Sequence, residues 1–162
     1  MTSVEPASGI SSESELQRLE RNWAEILQEL RVLQTGTQIL TGFLLAMAFQ
    51  QRFTTLSGVQ LVTYLTLVAL SVLAAVLALT PVALHRALFR RHAKLFLVRA
   101  ANVILRIALV VVGVTLSGIV LLIFDVVVSP RAGIVAGTIT AVVCLAAWLA
   151  VPVIARLRDP DF

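Results

Sequence analysis

The sequence predicts an all-α fold, namely a polytopic membrane protein with a four-helix transmembrane bundle and an N-terminal cytoplasmic helical extension. Hydrophobic residues make up 59% of the chain and charged residues only 14%, whereas soluble domains average roughly 45–50% and about 25%. Four apolar stretches approach the roughly 20 residues that a bilayer core of about 30 Å requires. Because lipid offers the backbone no hydrogen-bond partner, such stretches must be helical.

The four predicted spans cover residues 32–49, 59–84, 103–128 and 134–154. Span one is the least apolar of them, because it contains two Gln and three Thr. Spans two and three exceed the minimum length, which predicts a tilt or a kink. Residues 1–11 are rich in Ser, Pro and Gly and are expected to form a disordered tail, and residues 155–162 are expected to form a cytoplasmic tail.

An amphipathic helix is predicted for residues 12–31, before the first span. Ser12 and Glu15 form an S-x-x-E capping box at its start. Apolar residues then recur at alternating spacings of three and four, as in a heptad seam: Leu16, Leu19, Trp23, Ile26, Leu30 and Leu33. The helix could lie on the membrane surface, or it could continue out of span one and pack against a partner, and the pattern favours packing.

Basic residues indicate the orientation of the chain. Ten of the 13 Lys and Arg fall in the N-terminal segment, the middle loop and the C-terminus: Arg18, Arg21, Arg31, Arg86, Arg90, Arg91, Lys94, Arg99, Arg156 and Arg158. The two loops on the other side hold only Arg52 and Arg131. By the positive-inside rule, both termini are expected in the cytoplasm of a multi-pass cell-membrane protein. The basic middle loop is also suited to anionic lipids.

A polar stripe is predicted on one face of span one. Arg31, Thr35, Gln38 and Gly42 recur every three or four residues. Such a stripe could line a path for an ion or a substrate. It could equally be a packing face, where Thr and Gln hydrogen-bond a neighbouring helix and Gly allows close approach. Because exposing Gln38 to lipid is unfavourable, the stripe is expected to face protein or water.

Charged residues suggest two further sites. Asp125, near the outer end of span three, is expected to pair with Arg52, with Arg131 as a competitor. A transport role and simple solvation at the helix end are the alternatives. A cytoplasmic rim is expected where the segment before span one meets the end of span two. Its members are Glu25, Glu29, His85, Arg86, Arg90 and Arg91. A Glu29–Arg86 ion pair and binding of anionic lipid are both compatible with this rim.

Small residues four positions apart predict close helix packing. Gly133, Gly137 and Ala141 form such a ridge on span four, and ridges of this kind let membrane helices approach each other closely. Gly113 and Ser117 repeat the spacing on span three. The pattern predicts a tight bundle and carries no information about activity.

The composition argues against an enzyme. Standard catalytic motifs are absent, and one Cys and two His leave no metal cluster. We therefore expect no catalytic residue, no metal, no cofactor and no nucleic-acid partner. The leading interpretation is a non-enzymatic accessory or scaffold subunit that associates through its helices, as a homo-oligomer or with another membrane protein. The alternative is a small oligomeric ion or proton transporter.

Several short motifs resemble a known family. They are Asn22-Trp23-Ala24-Glu25, Gln28-Glu29-Leu30-Arg31, Gln34-Thr35-Gly36, Gln38-Ile39-Leu40, Phe49-Gln50-Gln51-Arg52-Phe53, Pro81-Val82-Ala83, His85-Arg86 and Phe89-Arg90-Arg91. Over residues 22–128 the chain resembles small four-span actinobacterial membrane proteins of unknown function, some of which carry a sodium:proton antiporter label. The resemblance implies fold and location. It adds little about activity. The antiporter label gains no support, because the predicted spans place no Asp or Glu at the membrane midplane.

Overall fold

The computed structural model describes residues 8–88 and 94–150, with side chains described at residues 17, 21–86 and 97–150. These residues form four long helices and no strand. The helices are α1 (Ser8–Met47), α2 (Gly58–Leu88), α3 (Lys94–Val127) and α4 (Pro130–Leu145). A short 3₁₀ helix (Gln51–Thr55) lies between α1 and α2, and a π-helical turn (Ala146–Ala150) follows α4.

Helix α1 contains both the predicted amphipathic helix (residues 12–31) and most of the first predicted span (residues 32–49). It runs unbroken for 40 residues, which corresponds to about 60 Å of helix. The segment expected on the membrane surface or against a partner is thus a direct continuation of the segment expected to be span one. The helix already begins at Ser8, so residues 8–11 are helical rather than part of a tail, and residues 1–7 lie outside the described residues.

The heptad seam also extends along α1. Thr37, Leu40, Leu44 and Met47 continue the alternating spacing beyond Leu33, and each of them is buried or partly buried. A seam of this length requires a neighbour along the whole helix. Helices α2 and α3 supply it over the described part of the seam, from Trp23 to Met47.

The first half of this seam packs inside the chain. Ile26 and Leu30 form a buried cluster with Ala101 and Leu105 of α3, with Trp23, Leu27, Leu33 and Val98 packed around it. Part of the surface that the sequence suggested for a partner is therefore occupied by the chain's own α3. The side chains of Leu16 and Leu19 lie outside the described ones.

The second half of the seam packs against the beginning of α2 and the end of α3. Leu44 packs with Tyr64, Leu67 and Leu122 in a second buried cluster. The Tyr64 hydroxyl donates a 2.7 Å hydrogen bond to the carbonyl of Leu44. Carbonyls in the last turn of a helix lack partners within that helix, so this bond satisfies one of them.

Helices α3 and α4 pack closely against each other. Ser129 caps α4 by accepting from the Ala132 N–H, and Pro130 opens the helix. A Cβ at Gly133 would lie 2.7 Å from the Leu121 carbonyl oxygen, and one at Gly137 would lie 2.8 Å from the Leu121 Cβ. The small-residue ridge on α4 is therefore in direct contact with α3.

In the described part of the chain, three segments are long and apolar enough to cross a membrane: Gly58–Arg86, Leu97–Val127 and Pro130–Ala150. Helix α1 is not among them, because Gln and Thr residues interrupt its apolar half. The described residues thus form an all-helical structure in which three of the four expected spans meet these criteria. The last residues of the fourth predicted span and the C-terminal tail lie beyond Ala150, outside the described part of the chain.

Candidate functional site

The polar stripe predicted on span one lies on the outside of the bundle. Arg31, Thr35, Gln38 and Gly42 are all exposed on α1. The Thr35 hydroxyl donates to the Arg31 carbonyl at 3.0 Å, within the helix itself. Among the described residues, the Gln38 amide has no hydrogen-bond partner. The stripe is thus an open surface.

Three buried hydroxyls of the described bundle are satisfied by their own helices. Thr37, Ser71 and Thr115 are buried. Each hydroxyl donates to a backbone carbonyl three or four residues earlier, at 2.9, 2.8 and 2.8 Å respectively. These groups have no donor to offer a passing solute. The stripe on α1, in contrast, presents exposed polar side chains.

The space around each glycine shows which helix surfaces are packed and which are open. A Cβ at Gly113, Gly118 or Gly133 would lie within 3.0 Å of another helix or of the π-helical turn, whereas one at Gly36 or Gly42 would meet nothing within 4 Å. At Gly113 the neighbour is the ring of Trp148. The glycines of α3 and α4 thus lie against neighbouring structure, whereas those of α1 face open space.

A second polar group lies where α2 begins and α3 ends. Asp125 accepts a 3.1 Å hydrogen bond from the side-chain amide of Gln60. The Gln60 carbonyl oxygen in turn accepts from the Ser57 N–H at 2.9 Å. The other carboxylate oxygen of Asp125 is buried and has no hydrogen-bond partner. Gln60 therefore fixes one half of the carboxylate, and the other half is left unsatisfied.

The partner expected for Asp125 lies close by but makes a different bond. The Arg52 guanidinium donates to the carbonyl of Val126 at 3.4 Å. Within the described residues, Asp125 forms no ion pair with Arg52 or Arg131, and its hydrogen-bond partner is Gln60. Ser57 and Gln60 explain the difference, because their S-x-x-Q capping box starts α2 and holds the Gln60 amide beside Asp125. The same motif in the sequence is the signal that could have identified Gln60.

The described members of the predicted rim lie on the first half of α1 and near the end of α2. Trp23 of α1 stacks on His85 of α2, with ring centroids 5.0 Å apart and an interplanar angle of 18°. Glu25, Glu29 and Arg86 are exposed, and among the described residues no ion pair joins Glu29 to Arg86. Arg90 and Arg91 lie outside the described residues. At this end of the two helices, the contact described between them is the stacking of Trp23 on His85.

These groups suit packing and hydrogen bonding. Within residues 8–88 and 94–150, no group of three His, Cys, Asp or Glu is placed to hold a metal ion. The free thiol of Cys144 is partly buried. The fold and its surfaces define an all-helical protein with candidate membrane spans and an open polar face on its first helix.

The family comparison agrees with this class. A model described as "Family of unknown function (DUF6328)" matches residues 12–152, so the chain belongs to that family. The resemblance to a family of unknown function is thereby confirmed. No curated protein and no solved structure matches the chain.

Proposed function

We propose that this protein is a multi-pass protein of the cell membrane that acts through helix association, as a non-enzymatic accessory or scaffold subunit. The observation that carries the proposal is the position of the polar stripe. One side of α1 is covered by α2 and α3, while its other side presents Arg31, Thr35, Gln38 and Gly42 outward. A polar face of this kind within a membrane needs a protein neighbour.

The proposal takes α1 as a fourth span. Leu44 packs against Tyr64 and Leu67, which belong to the candidate span Gly58–Arg86, and against Leu122 of the candidate span Leu97–Val127. A helix that packs along two spans lies at their depth. The 40 residues of α1 are about twice the length that a 30 Å core requires. Its first half therefore extends into the cytoplasm, on the side favoured by the basic residues.

A pair of single cysteines tests this topology. In a Cys144→Ser background, Gln17→Cys and Ser57→Cys place one thiol before the apolar half of α1 and one after it. In inside-out vesicles, we expect a membrane-impermeant maleimide to label position 17 and not position 57. In intact cells the pattern should reverse. Labelling of both positions from the same side would show that α1 does not cross the membrane.

An ion or proton transporter is the second candidate, and the same stripe favours it in one specific form. Because the buried hydroxyls of Thr37, Ser71 and Thr115 bond to their own helices, they do not line a path beside α1 in the described part of one chain. A path lined by Gln38 and Thr35 would need several copies arranged with their stripes inward. A transporter built on this surface is therefore an oligomer.

Reconstitution separates the two candidates. The purified protein is placed in liposomes that contain a pH-sensitive dye, and proton flux is measured after a sodium or potassium pulse. For an association subunit, we expect flux equal to that of empty liposomes. Flux well above that level would support the transporter if Gln38→Leu abolishes it and Phe43→Leu does not. Phe43 is a suitable control because it is 71% exposed and lies on another side of α1.

A further inference from the structure

The outward face of α1 has the features of a helix-packing surface. Thr35, Gln38 and Gly42 combine a hydroxyl, an amide and a residue without a side chain, which is the composition found where membrane helices approach closely. All four residues of the stripe are exposed, and an added Cβ at Gly42 would meet nothing within 4 Å. The neighbouring exposed residues Val32, Ile39 and Phe43 are apolar and suit lipid.

Gln38 supplies the energetic reason for a neighbour. Its amide is both a donor and an acceptor, and no described residue bonds to it. Position 38 lies between Leu30 and Leu44, which belong to the two buried clusters of the seam. An amide at that depth, facing lipid, would lose its hydrogen bonds with water and gain none in return.

We propose that the occupant of this face is a second copy of the chain, related by a two-fold axis along the membrane normal. The proposal rests on the proposed function, in which α1 crosses the membrane. Such an axis places every residue opposite itself at its own depth, so Gln38 meets Gln38, Thr35 meets Thr35 and Gly42 meets Gly42. Two amides can each donate to the other, which makes the face self-complementary.

The charges and the glycine fit the same arrangement. Arg31 is the charged member of the stripe and lies at its cytoplasmic end, where a long side chain can reach water and the two copies can diverge. Gly42 lies toward the other end, where the absence of a Cβ allows the backbones to approach. The closest approach therefore falls on the side of Gln38 away from Arg31.

Cysteine crosslinking in liposomes tests the geometry. In a Cys144→Ser background, the pure protein is oxidised at low protein-to-lipid ratio with a single thiol from Gln38→Cys or Phe43→Cys. Residues five positions apart lie about 140° apart around a helix. We expect a species of twice the mass for position 38 and little for position 43. Equal crosslinking at both positions, or crosslinking at position 43 alone, would overturn the proposal.

Two matched glycine variants test the same face without relying on Gln38. Gly36 and Gly42 are both open in the chain, with nothing within 4 Å of an added Cβ, but they lie about 120° apart around α1. Förster transfer between labelled copies measures the dissociation constant. Gly42→Leu should raise it at least tenfold and Gly36→Leu less than twofold, while Gln38→Leu should raise it roughly three- to tenfold. Equal effects of the two glycine variants would contradict the proposal.

The outcomes distinguish this inference from the proposed function. If the pure chain is monomeric in liposomes but crosslinks to a different protein in cell membranes, the second copy is wrong and association stands. If the pure chain associates without crosslinking at position 38, another face is used and again only the inference fails. A chain that is monomeric in both settings would overturn the inference and the association function together.

Discussion

Glycines occur in both the first and the last helix of the bundle, but their surroundings differ. Gly133 and Gly137 of α4 lie directly against α3, where an added Cβ would approach backbone or Cβ atoms to within 3.0 Å. Gly36 and Gly42 of α1 have nothing within 4 Å. The comparison teaches that a small residue permits close approach, while the neighbouring helix decides whether that approach takes place.

The largest effect is expected from filling the α3–α4 contact. Gly133→Ala places a Cβ 2.7 Å from the Leu121 carbonyl oxygen and 3.0 Å from the Asp125 backbone nitrogen. Backbone atoms cannot rotate away, so the helices must separate at a cost of about 1–3 kcal/mol. Denaturant titration in detergent, followed by circular dichroism, measures the loss. Gly58→Ala is the control because that site is open, and a loss of the same size at both sites would contradict the close contact.

A somewhat smaller loss is expected from Tyr64→Phe. The ring stays in place against Phe53, whose centroid lies 4.9 Å away, but the 2.7 Å bond to the Leu44 carbonyl is lost. The carbonyl ends α1 and is left buried without a donor, at a cost of about 1–2 kcal/mol. Thr66→Val is the comparison, because its exposed hydroxyl donates only to its own helix. If Tyr64→Phe were as mild as Thr66→Val, the bond would contribute nothing to anchoring α1.

A coupling of about 1 kcal/mol is expected between Gln60 and Asp125. In a double-mutant cycle, Gln60→Leu and Asp125→Leu should each destabilise the protein, and the double variant should lose less than the sum. The cycle of Arg52→Gln with Asp125→Leu should come closer to additivity, because Arg52 donates to the Val126 carbonyl instead. If Asp125 couples more strongly to Arg52 than to Gln60, the result would support the Arg52–Asp125 ion pair that the sequence predicts.

The sequence predicts the helices well because their signals are local. Apolar length predicts the three candidate spans to within a few residues at most ends, and the small-residue spacing predicts the ridge at Gly133 and Gly137. The stripe from Arg31 to Gly42 also follows from spacing alone. Each of these patterns needs only the period of a helix.

Partners are harder to predict because they depend on how helices are arranged. Spacing placed Ile26 and Leu30 on one face but could not reveal that α3 covers it. Charge favoured Arg52 as the partner of Asp125, whereas Gln60 is positioned by the turn that starts α2. The sequence pattern did not predict that the seam continues to Leu44 and Met47. It placed a boundary between residues 31 and 32, where the composition changes from polar to apolar, although one helix spans both segments.

The smallest effect on stability is expected from Gly36→Ala, and this substitution should stabilise the protein. In a soluble helix, Gly→Ala stabilises by roughly 0.5–1 kcal/mol. In the proposed topology α1 lies within lipid, where a helix stays helical even when its neighbours separate, so the gain should be at or below the low end. Since Gly36 and Gly42 are equally open in one chain, Gly36→Ala and Gly42→Ala should behave alike in excess detergent, where copies are dilute. At a high protein-to-lipid ratio they should diverge, because only the Cβ at position 42 enters the proposed contact between copies. Circular dichroism at two protein-to-lipid ratios measures both. A loss at Gly36 as large as that at Gly133 would mean that α1 is covered on that side as well, and the contrast between the two helices would not hold.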